Sequence, residues 1–227
     1  MGPLAKLLAT QFTVFTYDRR GRGDSSNTAP YAAEREVEDI DALIEKAGGS
    51  AFVYGTSSGA ALALEAANCG LAVKRLALYE APFIVDASHP PIPEDFLARL
   101  NALIASDRRG DAVKLFMKLV GVPTVFIALM PVMPAWPKLT AVAHTLPYDI
   151  TIVKDNQRGK PLSARRWASV TVPTLVMDGG KSPAWMRNGM RALGDVLPNA
   201  RLRTLEDQTH MVKPKVLAPA LVEFFAS

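Results

Sequence analysis

The chain has 227 residues, and 49% of them are hydrophobic, which is enough for one sizeable domain with an insertion. The formal net charge is +4, and lysine and arginine are spread along the chain rather than clustered, which argues against binding to nucleic acid. Cys69 is the only cysteine, so no intrachain disulfide can form, and we expect a reducing, cytoplasmic location. Residues 1–12 lack the pattern of a secretory signal. Prolines interrupt the most apolar stretch, residues 120–136, so we expect no contact with a membrane.

The N-terminal part of the chain predicts a short helix, a strand, a loop, a second helix and a second strand. Residues 4–8 have helical character, and residues 12–17 (FTVFTY) predict a β-strand because β-branched and aromatic residues dominate them. Residues 18–25 (DRRGRGDS) form a polar glycine loop. Apolar residues then recur at helical spacing across residues 37–44, and two glycines end that helix. A short apolar run at residues 51–54 (AFVY) predicts a buried strand.

The stretch from Gly55 to Gly59 (GTSSG) is the most informative part of the sequence. It follows the predicted strand at residues 51–54 and precedes a helical run rich in alanine and leucine at residues 60–67. A strand, a G-x-S-x-G turn and a helix form the layout of a nucleophile elbow, in which the central serine has a strained backbone. We expect both glycines to be required, because side chains would clash there. The N-terminus of the following helix would stabilise an oxyanion beside Ser57.

The part of the chain after the elbow predicts three more strands and a long helical insertion. Residues 75–79 (RLALY) predict a strand, and strand patterns return only at residues 172–177 and 201–205. Helical spacing and prolines fill residues 82–170, which predicts a long helical insertion, and a last helix is expected near residues 216–225. Strands that alternate with helices predict an α/β fold, with a mainly parallel open sheet and helices on both faces. The predicted domains are a first part of the core at 1–81, the helical insertion at 82–170 and a second part of the core at 171–227.

A serine hydroxyl needs a base that removes its proton, and the chain has three histidines. His210 follows the last predicted strand, and loops at the carboxyl ends of strands carry the chemistry of an open α/β sheet. We therefore predict that His210 is the base for Ser57. His89 lies in a proline-rich loop and His144 on an insertion helix, so both are predicted to be solvated or pocket-wall residues.

The chain resembles enzymes of the α/β-hydrolase fold nearly end to end, with the insertion in the place of their helical cap. The resemblance rests on residues 17–25 (YDRRGRGDS), 55–59 (GTSSG) and 172–177 (VPTLVM) and on Thr209 with His210. The order of nucleophile, acid and histidine is that of the fold. The resemblance implies that Ser57 is the nucleophile, that His210 is the general base and that the backbone N–H of Ser58 donates to the oxyanion.

The acid that would orient the histidine has three candidates. Most members of this fold carry an aspartate shortly after the strand that matches residues 175–177, but Ser182 stands at that position here. A serine cannot stabilise an imidazolium as a carboxylate does. A variant seen in some haloalkane dehalogenases carries the acid after the preceding strand, where this chain has Glu80. We therefore predict Glu80 as the acid, followed by Asp178 and then Asp86. The alternative for Glu80 is a strand-end carboxylate that pairs with an arginine of the cap.

The resemblance begins late in the fold. Its full-length members carry about three strands before the helix that begins this chain, and the loop after the third strand supplies a second oxyanion N–H. Nothing upstream of Phe12 matches that loop, so the resemblance implies weakened activity. The third strand would lie between those predicted at residues 12–17 and 51–54. We expect these two strands either to pair directly or to leave open edges, through which copies of the chain could associate.

A serine nucleophile implies an acyl-enzyme, so the expected reaction is hydrolysis of a small, fairly apolar ester or lactone rather than of a halide or epoxide. The alternatives are a non-catalytic binding or scaffold protein of the same fold and a cofactor-free, haloperoxidase-like activity. We expect no metal or other cofactor, because no cluster of ligands has metal spacing. Six cap residues are predicted to line an apolar pocket or, alternatively, to form the cap's own core: Phe116, Met117, Phe126, Met130, Met133 and Trp136.

Overall fold

The computed structural model describes residues 2–227, and a four-stranded parallel sheet lies at its centre. The strands are β1 (Ala51–Thr56), β2 (Val73–Tyr79), β3 (Thr174–Gly179) and β4 (Ala200–Leu205). They follow one another across the sheet in the order of the chain, and each neighbouring pair is parallel. Each of these strands was predicted from the sequence to within a few residues.

Ten α-helices occur within residues 2–227, and they divide into two sets. The helices of the core are α1 (Pro3–Leu8), α2 (Ala33–Lys46), α3 (Ser58–Asn68), α9 (Ala184–Val196) and α10 (Pro214–Ala226). The helices between β2 and β3 are α4 (Phe96–Ala105), α5 (Arg109–Leu119), α6 (Thr124–Leu129), α7 (Trp136–Ala141) and α8 (Leu146–Val153). None of the helices formed by these residues combines the length and the apolarity that crossing a membrane requires.

Both faces of the sheet are covered by helices, because successive side chains of a strand point to opposite faces. On β2, Leu76 and Leu78 pack in a cluster with α2, α3 and α9. The intervening Ala77 and Tyr79 pack with α1 and α10 on the other face. A parallel sheet covered in this way is apolar along its whole strands, and every residue of β3 is buried. The predicted α/β fold class is therefore confirmed.

The helices α4 to α8, which lie in the predicted cap and are called the cap below, have hydrophobic clusters of their own. One cluster joins α4, α5 and α8 around Leu100, which is fully buried. A second cluster joins α5 and α6 around Val113 and Ile127. Helix α8 also contacts α2 and α3, so the cap meets the core beside the start of α3. The boundaries proposed for the cap at 82–170 and for the two parts of the core at 1–81 and 171–227 stay a prediction.

The strand predicted at residues 12–17 is wrong, since this segment has no regular secondary structure. Within the described part of the chain, β1 pairs with β2 alone, so no strand is present beside residues 12–17 to accept their backbone hydrogen bonds. Side chains anchor the start of the segment instead, because the Phe12 ring meets Phe52 and Phe225 edge-on at centroid distances of 6.1 and 6.2 Å. The alternative that residues 12–17 pair directly with β1 is therefore wrong, and the edge of β1 on this side is open. Association of copies through that edge stays a prediction.

Candidate active site

The register of the sheet brings the predicted nucleophile and acid to one rim. Thr56 at the end of β1 pairs with Tyr79 at the end of β2, and Tyr79 pairs in turn with Met177 of β3. Because the strands are parallel and end at about the same level, Ser57 and Glu80 follow adjacent strands at the carboxyl edge of the sheet. That edge is where open α/β sheets bind their ligands.

Ser57 occupies the turn between β1 and α3 with a backbone conformation that residues other than glycine rarely adopt. Its φ is 55° and its ψ is −130°, and its N–H donates to the Tyr79 carbonyl at 2.9 Å. A Cβ atom at Gly55 would lie 2.3 Å from the Gly59 carbonyl oxygen, so position 55 requires glycine. The same expectation for Gly59 is wrong, because a Cβ atom there would meet nothing within 4 Å.

We expect Gly55→Ala to lower the free energy of unfolding by about 1–3 kcal/mol, because its methyl group would overlap backbone atoms of α3 that cannot turn away. Gly59→Ala is the matched control, since its Cβ atom has open space and alanine favours a helix over glycine. Urea denaturation followed by circular dichroism measures both variants. Equal stability of the two would contradict the close approach described for the elbow.

Helix α3 begins without an ordinary cap. Its N-cap residue is Ser57, whose side chain makes no capping hydrogen bond, although serine is among the residues that cap helices best. The first N–H groups of a helix have no partner inside the helix, and none of the described residues accepts from the Ser58 N–H. The partial positive charge at this end of the helix favours an oxyanion. The elbow therefore places a hydroxyl and a free N–H donor side by side.

Glu80 and His210 form a hydrogen-bonded pair on the same rim. Oε2 of Glu80 lies 2.8 Å from Nδ1 of His210, and Oε1 accepts the Gly179 N–H at 2.7 Å. The Glu80 side chain is fully buried, whereas 35% of the His210 side chain is exposed. A carboxylate on Nδ1 orients the ring and leaves Nε2 for a proton from the nucleophile. No arginine within residues 2–227 pairs with Glu80, so the alternative of a cap arginine as its partner is wrong.

The loop that carries His210 crosses the end of β3, and a glycine makes room for it. A Cβ atom at Gly179 would lie 2.6 Å from the Gln208 carbonyl oxygen, so any other residue would push the loop away. The Tyr79 hydroxyl donates to the Thr209 carbonyl at 2.7 Å. Burial, and after it the negative charge nearby, raises the pKa of Tyr79, so this hydroxyl keeps the proton that it donates. The loop is thus positioned by its close approach to Gly179 and by the hydrogen bond from Tyr79.

The two other candidate acids do not contact the imidazole. Asp178 is buried on β3, and neither of its carboxyl oxygens has a hydrogen-bond partner in the described part of the chain. Asp86 accepts hydrogen bonds from Ser88 and Asn188, and the Ser88 hydroxyl lowers the pKa of Asp86. Glu80 is therefore the candidate whose carboxyl group contacts the predicted base.

The six cap residues predicted to line a pocket fall into two groups. Four of them pack within the hydrophobic clusters of the cap: Phe116, Met117, Met130 and Trp136. The other two are more than half exposed, Phe126 at 59% and Met133 at 51%. The first group contributes to the cap's own core, whereas the second forms exposed apolar surface. A role in a pocket stays a prediction for all six.

A charged network that the sequence did not reveal lies against the elbow. Arg19 binds Glu36 of α2 through Nε at 2.5 Å and Nη2 at 2.7 Å. Nη1 of Arg19 donates to Asp149 of α8 at 2.9 Å and to Ser58 Oγ at 3.1 Å. The Ser58 hydroxyl donates to the same Asp149 oxygen at 2.7 Å, and Arg22 donates to the other one at 2.8 Å. We call these five residues the elbow network, since they join the glycine loop, α2, the cap and the start of α3.

One feature of the sequence could have indicated part of the elbow network. Asp149 is the only charged residue in the mostly apolar helix Leu146–Val153. Burying a charge is costly unless it is paired, so a cationic partner was to be expected. The arginines at positions 19, 20 and 22 of the glycine loop were candidates for that partner, but their distance from Asp149 along the chain hid the pairing.

The assembled site combines a hydroxyl in a strained turn, a free N–H beside it and an imidazole bound to a buried carboxyl group. This set suits nucleophilic attack on a carbonyl carbon, because the imidazole can accept a proton and the N–H can stabilise an oxyanion. Ser57 and His210 share no hydrogen bond within the described residues, and the role of His210 as the base for Ser57 stays a prediction. Within residues 2–227, no group of three or more His, Cys, Asp or Glu side chains is arranged to hold a metal ion.

Solved structures resemble the chain over nearly its whole length. An alpha/beta hydrolase from Sphaerobacter thermophilus DSM 20745 is 56% identical with a TM-score of 0.89, and the match covers 98% of this chain and 86% of that one. A hydrolase from Pseudomonas aeruginosa PA01 shares the fold at 22% identity and a TM-score of 0.70, with 98% of this chain and 83% of that one covered. The 2-hydroxy-6-oxo-6-phenylhexa-2,4-dienoate hydrolase from Rhodococcus sp. strain RHA1 shares it at 20% identity and a TM-score of 0.65, with 99% and 84% covered.

A search of curated proteins finds no match to the chain. The model of one family, described as the alpha/beta hydrolase family, matches residues 1–220. That match includes the elbow, the cap and the loop with His210, and it agrees with the resemblance found in the sequence. The chain therefore belongs to the alpha/beta hydrolase family.

Proposed function

We propose that the protein is a serine hydrolase that cleaves a small, fairly apolar ester or lactone. The observation that carries this proposal is the pair formed by Glu80 and His210, with Nδ1 and Oε2 2.8 Å apart on the rim that also holds Ser57. Orienting an imidazole with a fully buried carboxyl group is costly unless every contact is satisfied. Here the second oxygen of Glu80 is satisfied by the Gly179 N–H. Such a pair is what a serine nucleophile requires.

The proposed reaction has two halves. Ser57 Oγ attacks the carbonyl carbon of the substrate while its proton passes to Nε2 of His210, and Glu80 stabilises the imidazolium that forms. The carbon–oxygen bond to the alcohol then breaks, and His210 returns the proton to the departing oxygen. Water attacks the acyl-serine in the same manner, with its proton again passing to His210. The products are the free acid, or the hydroxy acid from a lactone, and the original serine.

One backbone donor is assigned to the oxyanion, the N–H of Ser58 at the start of α3. Removal of one oxyanion donor from an enzyme with two typically lowers turnover by about 100- to 1,000-fold. The partial charge of the helix end supports this donor.

The substrate class is proposed from the character of the cap. Phe126 and Met133 present apolar surface, and hydrophobic side chains predominate in binding sites for small molecules. The charges next to the elbow are already paired with one another, Arg19 with Glu36 and Asp149, so they favour an uncharged substrate. A reducing, cytoplasmic location belongs to the same proposal, because Cys69 is the only cysteine.

A fluorophosphonate probe tests the proposal directly. The folded protein is incubated with the probe, its intact mass is recorded, and peptide mapping locates the adduct, which we expect on Ser57. Hydrolysis of p-nitrophenyl butyrate is followed in parallel by absorbance. Folded protein that takes up no probe and hydrolyses no ester would support the non-catalytic binding or scaffold alternative. Bromination that depends on peroxide, without ester hydrolysis, would support the haloperoxidase-like alternative.

A further inference from the structure

The elbow network holds the start of α3 at the place where an ordinary cap is missing. A serine at the N-cap usually accepts a hydrogen bond from the second or third N–H of the helix, but Ser57 makes no such bond. The next residue, Ser58, uses its own side chain instead, and it binds Asp149 and Arg19. The first turn of α3 is therefore held from outside the helix, by the cap and by the glycine loop.

The contacts around Ser58 form a closed triangle. Its hydroxyl donates to Asp149 Oδ1 at 2.7 Å and accepts from Arg19 Nη1 at 3.1 Å, and the same Nη1 donates to Asp149 Oδ1 at 2.9 Å. The triangle is largely shielded from water, since the side chains of Arg19 and Asp149 are 12% and 17% exposed. Each of the three polar groups thus restricts the position of the other two.

The outer contacts of the network restrict the triangle further. Glu36, which is almost completely buried, fixes the remaining side of the Arg19 guanidinium. Arg22 binds the second oxygen of Asp149 and also donates to the Thr145 hydroxyl in the cap at 3.0 Å. Hydrogen bonds and charges from Glu36 and Asp149 more than offset burial, so the pKa of Arg19 lies above its ordinary value and the guanidinium stays charged.

The composition of the network argues for orientation rather than for binding of a charged substrate. Two arginines face two acids, Glu36 and Asp149, so no net charge is left for an ionic ligand. A buried ion pair also contributes little net stability, because desolvation of the charges offsets their attraction. The network instead fixes the position of Ser58 through contacts that involve the glycine loop, α2 and α8. The backbone N–H of Ser58 lies beside Ser57.

We propose that Asp149 and Arg19 are positioning residues that act through the Ser58 hydroxyl to aim the Ser58 N–H at the oxyanion. The cap then completes the reaction site through α8, since Asp149 belongs to that helix. A misplacement of about 1 Å in a catalytic group can lower a rate about 100-fold, so a small rotation of the first turn of α3 is sufficient to matter. This inference rests on the proposed hydrolase function.

A double-mutant cycle on hydrolysis of p-nitrophenyl butyrate tests the inference. Asp149→Ala and Ser58→Ala are each expected to lower kcat about 10- to 100-fold, with KM changed by less than about twofold, because the contact matters for the transition state and not for substrate binding. The double variant should lose no more kcat than the single variant with the larger loss, because both changes break the same contact. Asp149→Asn keeps an oxygen that accepts from Ser58 and should retain more kcat than Asp149→Ala.

The ion pair between Arg20 and Asp39 supplies the matched control. It joins the same glycine loop to the same helix α2 and makes no contact with Ser58, so Asp39→Ala should leave kcat unchanged. The inference is overturned if Asp149→Ala keeps the parent kcat, if the losses in the double variant multiply, or if KM alone changes. A parent protein that a fluorophosphonate does not label at Ser57 contradicts the hydrolase proposal itself, and this inference with it. Labelled parent protein with an unaffected Asp149→Ala variant contradicts the inference alone.

Discussion

Ser57→Gly is expected to abolish ester hydrolysis and to raise the free energy of unfolding. Loss of a serine nucleophile costs on the order of 10⁶-fold in kcat. The φ of 55° at Ser57 is a conformation that glycine adopts freely, so the substitution should release roughly 1–3 kcal/mol of backbone strain. The more flexible unfolded chain offsets roughly 0.5–1 kcal/mol of that gain. We expect a net stabilisation of about 1 kcal/mol in urea denaturation.

Two controls separate the strain from the chemistry. Ser57→Ala should lose the same activity without gaining stability, because alanine has the same difficulty as serine at a positive φ. Asp107 lies in an exposed turn between α4 and α5 with a φ of 53°, so Asp107→Gly should gain stability and leave hydrolysis unchanged. A Ser57→Gly variant less stable than the parent would contradict the strained elbow. Retained hydrolysis in either Ser57 variant would exclude this serine as the nucleophile.

The placement of Ser57 and His210 was predictable from the sequence because short local patterns determine it. The G-x-S-x-G turn needs only the strand before it and the helix after it, and both are visible in residues 51–67. The position of His210 follows from the rule that parallel strands end on one edge, once residues 201–205 are identified as the last strand. Neither inference requires knowledge of the cap.

The strand predicted at residues 12–17 failed because a strand is stabilised by a neighbour that its own composition does not reveal. The segment has the residue types of a strand, yet β1 lacks a partner on that side among the described residues. The elbow network was missed for a related reason. Arg19 and Asp149 contact each other only because the cap folds back over the glycine loop, and no local pattern records that fold.

The identity of the acid was only partly predictable from the sequence. Ser182 at the position usual for the family argued against an acid after β3, and the end of β2 offered Glu80 instead. The sequence did not show how an imidazole after β4 reaches a side chain after β2, with β3 lying between them. Gly179 provides the answer, since a Cβ atom there would lie 2.6 Å from the carbonyl oxygen of Gln208 in the crossing loop.

Glu80→Gln is expected to lower kcat for ester hydrolysis by about 10⁴-fold. The oxygen of the new amide can still accept the Gly179 N–H, but its NH2 group then takes the place of the oxygen that lies 2.8 Å from His210 Nδ1. An N–H donor at that position requires Nδ1 to be an acceptor, so Nε2 carries the proton and cannot take the one from Ser57. The wrong tautomer, rather than lost packing, stops the reaction, and KM is expected to change little.

Asp178→Asn is the matched variant, because it makes the same chemical change at another buried position near the carboxyl end of the sheet. The Asp178 oxygens have no hydrogen-bond partner within the described residues, so kcat should stay close to that of the parent while Glu80→Gln loses nearly all of it. The reverse ranking would transfer the role of the acid to Asp178 and would require the His210 loop to leave Glu80 during the reaction. Small effects in both variants would mean that the imidazole works without a carboxylate, and that the Glu80–His210 pair serves the fold alone.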